Sequence, residues 1–458
     1  MKIHINNLKS RIETDNPEIL DALYRLYSEK APGYQYSPAY KRRQWDGNVH
    51  FISKTGAFRT GLLNRVLDDL KKIKCEPDLC YENTQNSIES VQDYQIGKFS
   101  YYDYQKELIE RGLENKRGII KSPTGSGKTL IMAGLVKALQ GRKMVLLFNA
   151  KQLLTQSYEF LSKTCGIENI GLCYGEGYIY GDIMLCTVQS IEKILDTHLE
   201  EAEVLMVDEC HEFGNGKTTL AALKAFPKAL YRFGFTATPP SETIPKMNLE
   251  GALGPVWASV ETAGLVDSGK LTKPIIQLIN RPYTASGADE DMSYLEAYDE
   301  YIVYNNHRNN IIKDVVNEIR KNNKQSRILI LTKSLDHGRT LEELLGDGPV
   351  QFLQGEDSLG DRYNSISEFL GHEESSVLIG TKILQTGINI EEITHFINAR
   401  GMKSEIATLQ ALGRALRRHE SKEKVFVYDF LDKEKYLREH SIARRRHYEK
   451  EGHEVRIL

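Results

Sequence analysis

Short runs of apolar residues, separated by segments with helical periodicity, constrain the fold of this 458-residue chain more than any other feature. Runs of strand length that are apolar throughout are typical of parallel strands buried on both faces. One series lies between residues 99 and 278, at 118–120, 144–148, 183–186, 204–207 and 231–235. A second lies between residues 282 and 430, at 327–331, 350–353, 376–379, 395–397 and 425–428. The chain is therefore predicted to contain two α/β units in tandem, each with a parallel sheet.

The first 95 residues have a different pattern, which predicts a small α+β domain. The opening Met1–Asn7 alternates like an amphipathic strand, and Asn16-Pro17-Glu18 is a helix-start signal. A second helix is expected over 62–73, and the polar segment 82–97 is expected to be a linker. The predicted division is 1–95 for this domain with its linker, 96–280 for the first α/β domain, and 281–458 for the second with a charged helical tail.

Composition narrows the class of protein. Hydrophobic residues make up 40% and charged residues 27%, with a net charge of −3, which excludes disordered, collagenous, coiled-coil and histone-like chains. No stretch reaches the roughly 18 apolar residues of a membrane helix, and the start lacks the apolar core of a secretory signal. The six cysteines form no CxxC pair. We therefore expect no disulfide framework or zinc site, and an intracellular, cytoplasmic protein (in the host cytoplasm if phage-encoded).

A glycine-rich loop follows the first apolar run and precedes an apolar helix. Its residues are Ser122, Pro123, Thr124, Gly125, Ser126, Gly127, Lys128 and Thr129, with serine where the general phosphate-loop formula has glycine. Glycines allow backbone N–H groups and the helix N-terminus to face phosphate oxygens. Lys128 can reach the β- and γ-phosphates, and the Thr129 hydroxyl can ligate Mg²⁺. A glycine turn with a surface lysine is the alternative, which the strand–loop–helix context disfavours.

Two carboxylates follow the apolar run 204–207, at the strand end where α/β ligand sites form. Asp208 is suited to hold Mg²⁺, and Glu209 to orient and deprotonate an attacking water. An acidic pair in this position is more often a solvated loop. Its combination with the phosphate loop favours an ATP-hydrolysing site with Mg²⁺.

Together these motifs resemble those of the superfamily 2 helicases and translocases, which implies two tandem RecA-like motor domains. The resemblance implies that Gln105, after Tyr104, recognises adenine through its amide. It implies that Thr236-Ala237-Thr238-Pro239-Pro240 connects the ATP site to the nucleic-acid track. It also implies nucleic-acid backbone contacts for Gln156, Thr187, Ser190 and Thr381, whose hydroxyl and amide groups suit sequence-neutral binding.

The second α/β unit has its own matching motifs. Residues 380–390 resemble the motif in which Gly387 and position 389 meet the nucleotide, although Asn389 stands where aspartate is usual. Residues 410–417 match Q-x-x-G-R-x-x-R, and on a helix Gln410, Arg414 and Arg417 share one face. The resemblance implies that this face reaches the γ-phosphate across a cleft, where arginines stabilise transition-state charge. An ordinary basic helix face is the alternative for these arginines taken alone.

A basic, aromatic segment distinguishes the N-terminal domain. Residues 31–74 contain nine basic and three acidic residues with interleaved aromatics, and Lys41, Arg42, Arg43 and Trp45 are the candidate nucleic-acid contacts. A solvated face over an aromatic core is the alternative. Residues 34–47, with their Trp-Asp-Gly, resemble the N-terminal domain of the UvsW-type phage helicases. A second basic cluster, Arg438 to Arg456 with Arg444–Arg446 inside it, is expected either to contact duplex or to be a solvated helix.

That resemblance implies an ATP-dependent DNA helicase that remodels branched DNA, migrating Holliday junctions and reversing forks in recombination, repair and replication. The implied partners are branched or forked DNA and single- and double-stranded DNA, with no membrane. The oligomeric state is left open, and a monomer is allowed. Three alternatives remain: a double-stranded DNA translocase without strand separation, an RNA helicase, and a nucleotide-gated DNA-binding module without turnover.

Overall fold

Three β-sheets of four, eight and seven strands organise the chain in a computed structural model. The structure describes residues 1–82, 95–96, 99–194, 198, 200–280, 292–355, 357–381, 390–404, 412–413, 415–419 and 422–458. Contacts between residues divide it into two units, Met1–Ser122 with Gly127–Ser259, and Pro123–Ser126 with Val260–Leu458. Among the described residues, no helix has both the length and the apolar character needed to span a bilayer.

The N-terminal region forms the predicted α+β domain around a mixed four-stranded sheet in the order β5-β2-β1-β6. Its strands are β1 (Lys2–Ile5), β2 (Lys9–Glu13), β3 (Ser28–Lys30), β4 (Asn48–His50), β5 (Ala57–Arg59) and β6 (Asp78–Tyr81), and its helices are α1 (Pro17–Leu26), α2 (Pro38–Lys41) and α3 (Leu63–Lys72). Asn16 caps α1 by accepting the Glu18 N–H at 3.0 Å, as the Asn-Pro-Glu pattern predicts. Strands β3 and β4 form a separate hairpin that carries residues 31–47 between them.

The first α/β unit contains the eight-stranded sheet, in the order β12-β11-β13-β10-β14-β15-β9-β16. Its strands and the small preceding pair are β7 (Gln95–Ile96), β8 (Phe99–Ser100), β9 (Arg117–Lys121), β10 (Met144–Phe148), β11 (Ile170–Tyr174), β12 (Gly177–Ile179), β13 (Ile183–Thr187), β14 (Val204–Val207), β15 (Tyr231–Thr236) and β16 (Val256–Ser259). Its helices are α4 (Asp103–Asn115), α5 (Lys128–Ala138), α6 (Lys151–Glu159), α7 (Lys217–Lys224) and α8 (Thr243–Leu253). All five predicted strands are parallel and buried, which confirms this part of the fold class.

The second unit contains the seven-stranded sheet, in the order β19-β20-β18-β21-β22-β17-β23. Its strands are β17 (Lys273–Ile279), β18 (Arg327–Leu331), β19 (Val350–Leu353), β20 (Ser376–Gly380), β21 (His395–Asn398), β22 (Lys424–Phe430) and β23 (Glu454–Ile457). Its helices are α9 (Thr262–Asp267), α10 (Tyr294–Tyr298), α11 (Asn306–Asn322), α12 (Leu335–Leu344), α13 (Leu359–Gly371) and α14 (Leu437–Lys450).

Two strands of this sheet differ from the sequence expectation. The sequence predicts that the first α/β domain ends at residue 280 and so contains β17, but β17 pairs with β22 over seven residues of the second sheet. The charged tail, expected to be helical, ends in β23, which pairs with the other side of β17. Both corrections have one cause: β17 completes the second sheet and supplies an edge on which the end of the chain can form a strand.

The N-terminal domain packs against α8 of the first α/β unit. Met247 of α8 is buried in the same apolar cluster as Ile3, Ile12 and Leu70 of the N-terminal domain. Arg65 Nη2 lies 3.2 Å from the Glu250 carboxylate, whose side chain is 7% exposed. The predicted linker falls mostly on residues outside the described ranges. The shared apolar cluster fixes the N-terminal domain to the first α/β unit.

Candidate functional site

The phosphate loop connects β9 to α5 in the strand–loop–helix arrangement that the sequence predicts. Gly125 and Gly127 have φ values of 87° and 80°, a left-handed conformation that glycine adopts without the steric cost of a Cβ. The start of the loop is fixed because the Ser122 N–H donates to the Thr236 carbonyl at 2.9 Å. Within the loop, Ser126 Oγ donates to the Pro123 carbonyl at 2.7 Å.

Lys128 and Glu209 form the centre of the site. Lys128 Nζ lies 3.2 Å from Glu209 Oε1 and 3.4 Å from the Ser122 carbonyl oxygen. Glu209 follows β14 with a φ of 44°, and its N–H donates to Asp208 Oδ1 at 3.0 Å. The structure therefore brings together the lysine and the two carboxylates that the sequence selects, from the loop before α5 and the end of β14.

The electrostatics of Asp208 suit a cation. Burial, and next the negative charge of Glu209, raise the pKa of Asp208 to about 7, against the opposing effect of Lys128. A divalent cation would favour the ionised carboxylate, because its positive charge offsets both causes. The Asp208 carboxylate and the Thr129 hydroxyl are oxygen ligands of the kind that Mg²⁺ prefers. These residues fit the predicted metal, whose binding stays a prediction.

Glu209 has an oxygen that is available to a water molecule. Its Oε2 is buried and has no hydrogen-bond partner in the part of the chain that the structure describes. His211 Nδ1 lies 3.4 Å from this oxygen and 2.9 Å from Thr236 Oγ1, and burial lowers the pKa of His211 and so favours its neutral form. His211 thus connects the Glu209 carboxylate to Thr236 at the end of β15. Its position two residues after Glu209 is the sequence signal for this contact.

Gln105 is engaged in local structure. Its side chain is buried: Oε1 accepts the Tyr102 N–H at 3.0 Å and Nε2 donates to Tyr104 Oη at 3.2 Å. A Cβ on Gly127 would lie 2.5 Å from Nε2, so the amide packs against the phosphate loop. Recognition of adenine by Gln105 remains a prediction. It requires the side-chain amide to form hydrogen bonds with the base in addition to, or in place of, those with Tyr102 and Tyr104.

Two of the predicted nucleic-acid contacts are engaged with each other in the structure, and their contact with nucleic acid stays a prediction. Thr187 and Ser190 are buried, and Thr187 Oγ1 donates to Ser190 Oγ at 3.1 Å. Their hydroxyls close the turn after β13, and a contact with a phosphate backbone would have to replace this bond. Gln156 lies exposed on α6, and Thr381 is half-buried directly after β20, so their contacts remain predictions.

The second unit is described in part. Gly387, Asn389, Gln410 and Arg414 lie outside the described residues, and their predicted roles stay predictions. The end of the arginine motif is described: Thr272 Oγ1 donates to the Arg417 carbonyl at 3.2 Å. Lys422 Nζ donates to the Ala415 carbonyl at 2.8 Å. These bonds fix the backbone that carries Arg417.

The N-terminal candidates are at the surface. Lys41, Arg42 and Arg43 are exposed and Trp45 is half-buried, all in the 31–47 segment of the β3–β4 hairpin. Other basic residues of the same domain are used for packing: Arg65 pairs with Glu250, and Arg59 contacts Gly251 of α8. The basic segment of the sequence is thus divided between an exposed loop and a contact within the unit.

The C-terminal basic cluster divides in the same way. Arg444 is buried, and its Nε donates to both carboxylate oxygens of Asp429 at 3.0 Å. Arg445 is exposed and pairs with Glu449 one helical turn away. The expectation that Arg444 meets either duplex or solvent is therefore wrong, because this guanidinium is an internal counter-ion.

Two family models match the chain. Residues 98–241 match the family described as type III restriction enzyme, res subunit, and residues 308–419 match the helicase conserved C-terminal domain. The first match contains the phosphate loop, Asp208 and Glu209. The second contains the arginine motif.

The chain is also similar to known proteins over most of its length. It is 24% identical to the ATP-dependent DNA helicase uvsW of Enterobacteria phage T4, covering 94% of this chain and 90% of that protein. The crystal structure of T4 UvsW superimposes with a TM-score of 0.50 at 21% identity, covering 100% of this chain and 99% of that one. The Type ISP restriction-modification enzyme LlaBIII bound to DNA superimposes with a TM-score of 0.59 at 15% identity, over 79% of this chain and 31% of that one. These superpositions show a fold with two RecA-like α/β domains.

Proposed function

Because this chain is a superfamily 2 helicase similar to phage UvsW, we propose that it is an ATP-dependent DNA helicase that unwinds and remodels branched DNA. Its action would include branch migration of Holliday junctions and fork reversal in recombination, repair and replication. The observation that carries the proposal is the cluster of Lys128, Asp208 and Glu209, which joins a phosphate loop to two carboxylates. The similarity to UvsW, which extends over 94% of the chain, supports DNA as the substrate.

The described residues suit the hydrolysis of ATP. Lys128 neutralises the phosphates and, in doing so, releases Glu209 from the ion pair that holds it at 3.2 Å. Glu209 Oε2 then orients an attacking water and accepts its proton, since this oxygen has no partner among the described residues. Asp208 and Thr129 would hold Mg²⁺, which when bound supplies charge stabilisation to the phosphate oxygens.

Communication with the nucleic acid would begin at His211. Its contact with Thr236 joins Glu209 to the loop that follows β15, and the Thr238 N–H donates to the same Thr236 hydroxyl at 3.1 Å. A change at the γ-phosphate would therefore alter the Thr236–Thr238 segment through three short contacts. In this proposal Gln410, Arg414 and Arg417 of the second unit stabilise the transition-state charge, and the ATPase cycle moves the DNA.

ATP hydrolysis with different nucleic acids tests the motor and its substrate. We expect DNA to stimulate hydrolysis by the full chain, and RNA stimulation without DNA stimulation would indicate an RNA helicase instead. Stimulation by duplex DNA without strand separation would indicate a translocase. DNA binding without any turnover would indicate a nucleotide-gated binding module.

Two substitutions test the site assignment. Lys128→Ala and Glu209→Gln should each abolish hydrolysis, because one removes the phosphate counter-charge and the other the general base. Lys163→Ala and Glu159→Gln are matched controls, since this exposed pair lies in the same unit. Circular dichroism would verify the fold of each variant. Retained turnover in both site variants would refute the assignment.

A further inference from the structure

A pocket in the N-terminal domain is lined by residues of the segment that connects β3 to β4. Its volume is about 530 Å³, within the range of about 300–1,000 Å³ that is usual for sites that hold a small ligand. It is lined by two aromatic side chains, Tyr40 and Trp45, by the cationic side chains of Lys41 and Arg43, and by Asp46. The pocket thus combines π-faces and positive charge in one concave surface.

The aromatic side of this pocket is rigid. Trp45 Nε1 donates to the Asn48 carbonyl at 2.8 Å, which fixes the ring and satisfies its polar edge. Tyr40 meets the edge of Tyr34, with ring centroids 4.9 Å apart and planes at 88°. Gly47, with a φ of 81°, lies so close to Tyr34 that a Cβ would be 2.7 Å from that ring. The aromatic rings are therefore held in place before any ligand arrives, which lowers the entropic cost of binding.

The charge of the pocket is positive. Asp46 accepts hydrogen bonds from the Asn48 N–H at 3.0 Å and from Asn48 Nδ2 at 2.9 Å, and it lies 3.1 Å from His50 Nε2. The Asn48 backbone bond is the main cause that lowers the pKa of Asp46. Lys41 and Arg43 are exposed and form no ion pair with any residue that the structure describes. The carboxylate is thus satisfied internally, and the cations are available to a ligand.

Arg43 is also unusual in its backbone. Its φ is 58°, a left-handed conformation that is uncommon for arginine. The Arg43 N–H donates to the Tyr40 carbonyl at 2.9 Å and closes the turn after α2. The turn places the cation beside the aromatic rings, and residues in such conformations cluster at ligand sites.

We propose that this pocket binds one unpaired nucleotide, with the base stacked on Trp45 or Tyr40 and the phosphate held by Lys41 and Arg43. The proposal rests on the proposed function in taking DNA as the ligand, and it makes the N-terminal domain a sensor of unpaired bases at a branch. A surface that holds only duplex phosphates needs cations but no ring face. The two fixed aromatic rings can stack on a base only when that base is unstacked from its neighbours, because bases inside a duplex present no free face.

The fluorescence of Trp45 provides a direct test. The chain has two tryptophans, and Trp257→Phe makes Trp45 the sole tryptophan, whose emission is excited selectively over that of tyrosine. This substitution keeps a ring beside Arg111, and it removes an indole N–H that has no hydrogen-bond partner among the described residues. We expect single-stranded oligothymidine and a fork with unpaired nucleotides to quench this emission, and a blunt duplex of equal length to leave it unchanged.

Affinity measurements complete the test. Trp45→Leu should weaken binding of oligothymidine by about 5- to 150-fold, the range for loss of one base stack, and should change blunt-duplex affinity by less than about 2-fold. Lys71→Ala, which removes an exposed cation from another part of the same domain, is the control and should affect both ligands equally. The quenching assay retains Trp45, so it stands even if Trp45→Leu is poorly folded.

The proposal would be overturned if Trp45→Leu lowered the affinity for both ligands equally, or if no DNA altered the emission of Trp45. The pocket would then bind only phosphate or no nucleic acid. DNA-stimulated ATP hydrolysis of the unmodified chain is measured in parallel. Quenching by unpaired DNA without stimulated hydrolysis would refute the proposed motor function while supporting the pocket. Stimulated hydrolysis without quenching would support the proposed motor function and refute the pocket as a nucleotide site.

Discussion

Replacement of Arg444 tests whether the buried ion pairs near the C-terminal ends of β21 and β22 contribute to the folding stability of the second unit. The guanidinium donates to Asp429, to the Met402 carbonyl at 3.0 Å and to the Phe430 carbonyl at 3.0 Å. Asp432 lies 3.4 Å away. In Arg444→Met, Asp429 would keep the Tyr448 Oη donor at 2.8 Å and the more distant charge of Arg400, but it would lose the guanidinium that pairs with it directly.

The expected cost follows from that loss. Removing one member of a buried ion pair destabilises a protein by about 3–5 kcal/mol. Asp432 still has Arg308, whose Nε is 3.2 Å from it, so the lower end of the range applies. For a unit of this size each kcal/mol shifts the melting temperature by about 2–4 °C, which predicts a decrease of about 6–12 °C.

Scanning calorimetry of the full chain measures this shift in the transition of the second unit. Arg445→Met is the matched control: its exposed pair with Glu449 should contribute less than about 1 kcal/mol. Adding Asp429→Asn to Arg444→Met should recover part of the loss, because it removes the uncompensated charge. Equal shifts in the two single arginine variants would refute this account of the buried network.

Two further predictions concern stability. Burial lowers the pKa of His337 to about 3, so between pH 6.5 and 3 the unfolded chain binds a proton that the folded chain does not. Stability should therefore fall as the pH falls below 6.5, by about 2 kcal/mol at pH 5 from this residue, and His337→Gln should flatten that dependence in urea unfolding at pH 7.5 and 5. Gly61→Ala would place a Cβ 2.0 Å from the Glu250 carbonyl oxygen and should loosen the N-terminal domain, seen as faster hydrogen exchange in β1 and α3. Gly264→Ala, where a Cβ would meet nothing within 4 Å, is its control, and unchanged exchange in both would contradict the packing described here.

The strands, and the placement of the phosphate loop beside the two carboxylates, follow closely from the sequence because their signals are local. Apolar runs mark strands wherever they pair, and the phosphate loop must join a strand to a helix for its glycines to be useful. An apolar run does not encode which other strand it pairs with. Strand β17 is apolar enough for either sheet, and its pairing with β22 depends on a stretch about 150 residues later.

Burial of polar side chains is the other property that the sequence leaves undetermined. Thr187 and Ser190 are the residue types that suit phosphate contacts, but the turn after β13 points each hydroxyl at the other. Arg444 stands in a run of three arginines, and its two carboxylate partners lie 12 and 15 positions earlier, one just after β22 and one within it. In both cases the decisive contact is set by packing and has no periodic signature.

Processing of three DNA substrates by the full chain with ATP and Mg²⁺ tests the central claim most directly. The substrates are a four-way junction, a replication-type fork and a plain tailed duplex of matched sequence, and the products are separated on a native gel. We predict faster conversion of the junction and the fork, with no conversion by Lys128→Ala. Equal activity on all three, or activity restricted to the tailed duplex, would contradict the claim that this motor acts on branched DNA.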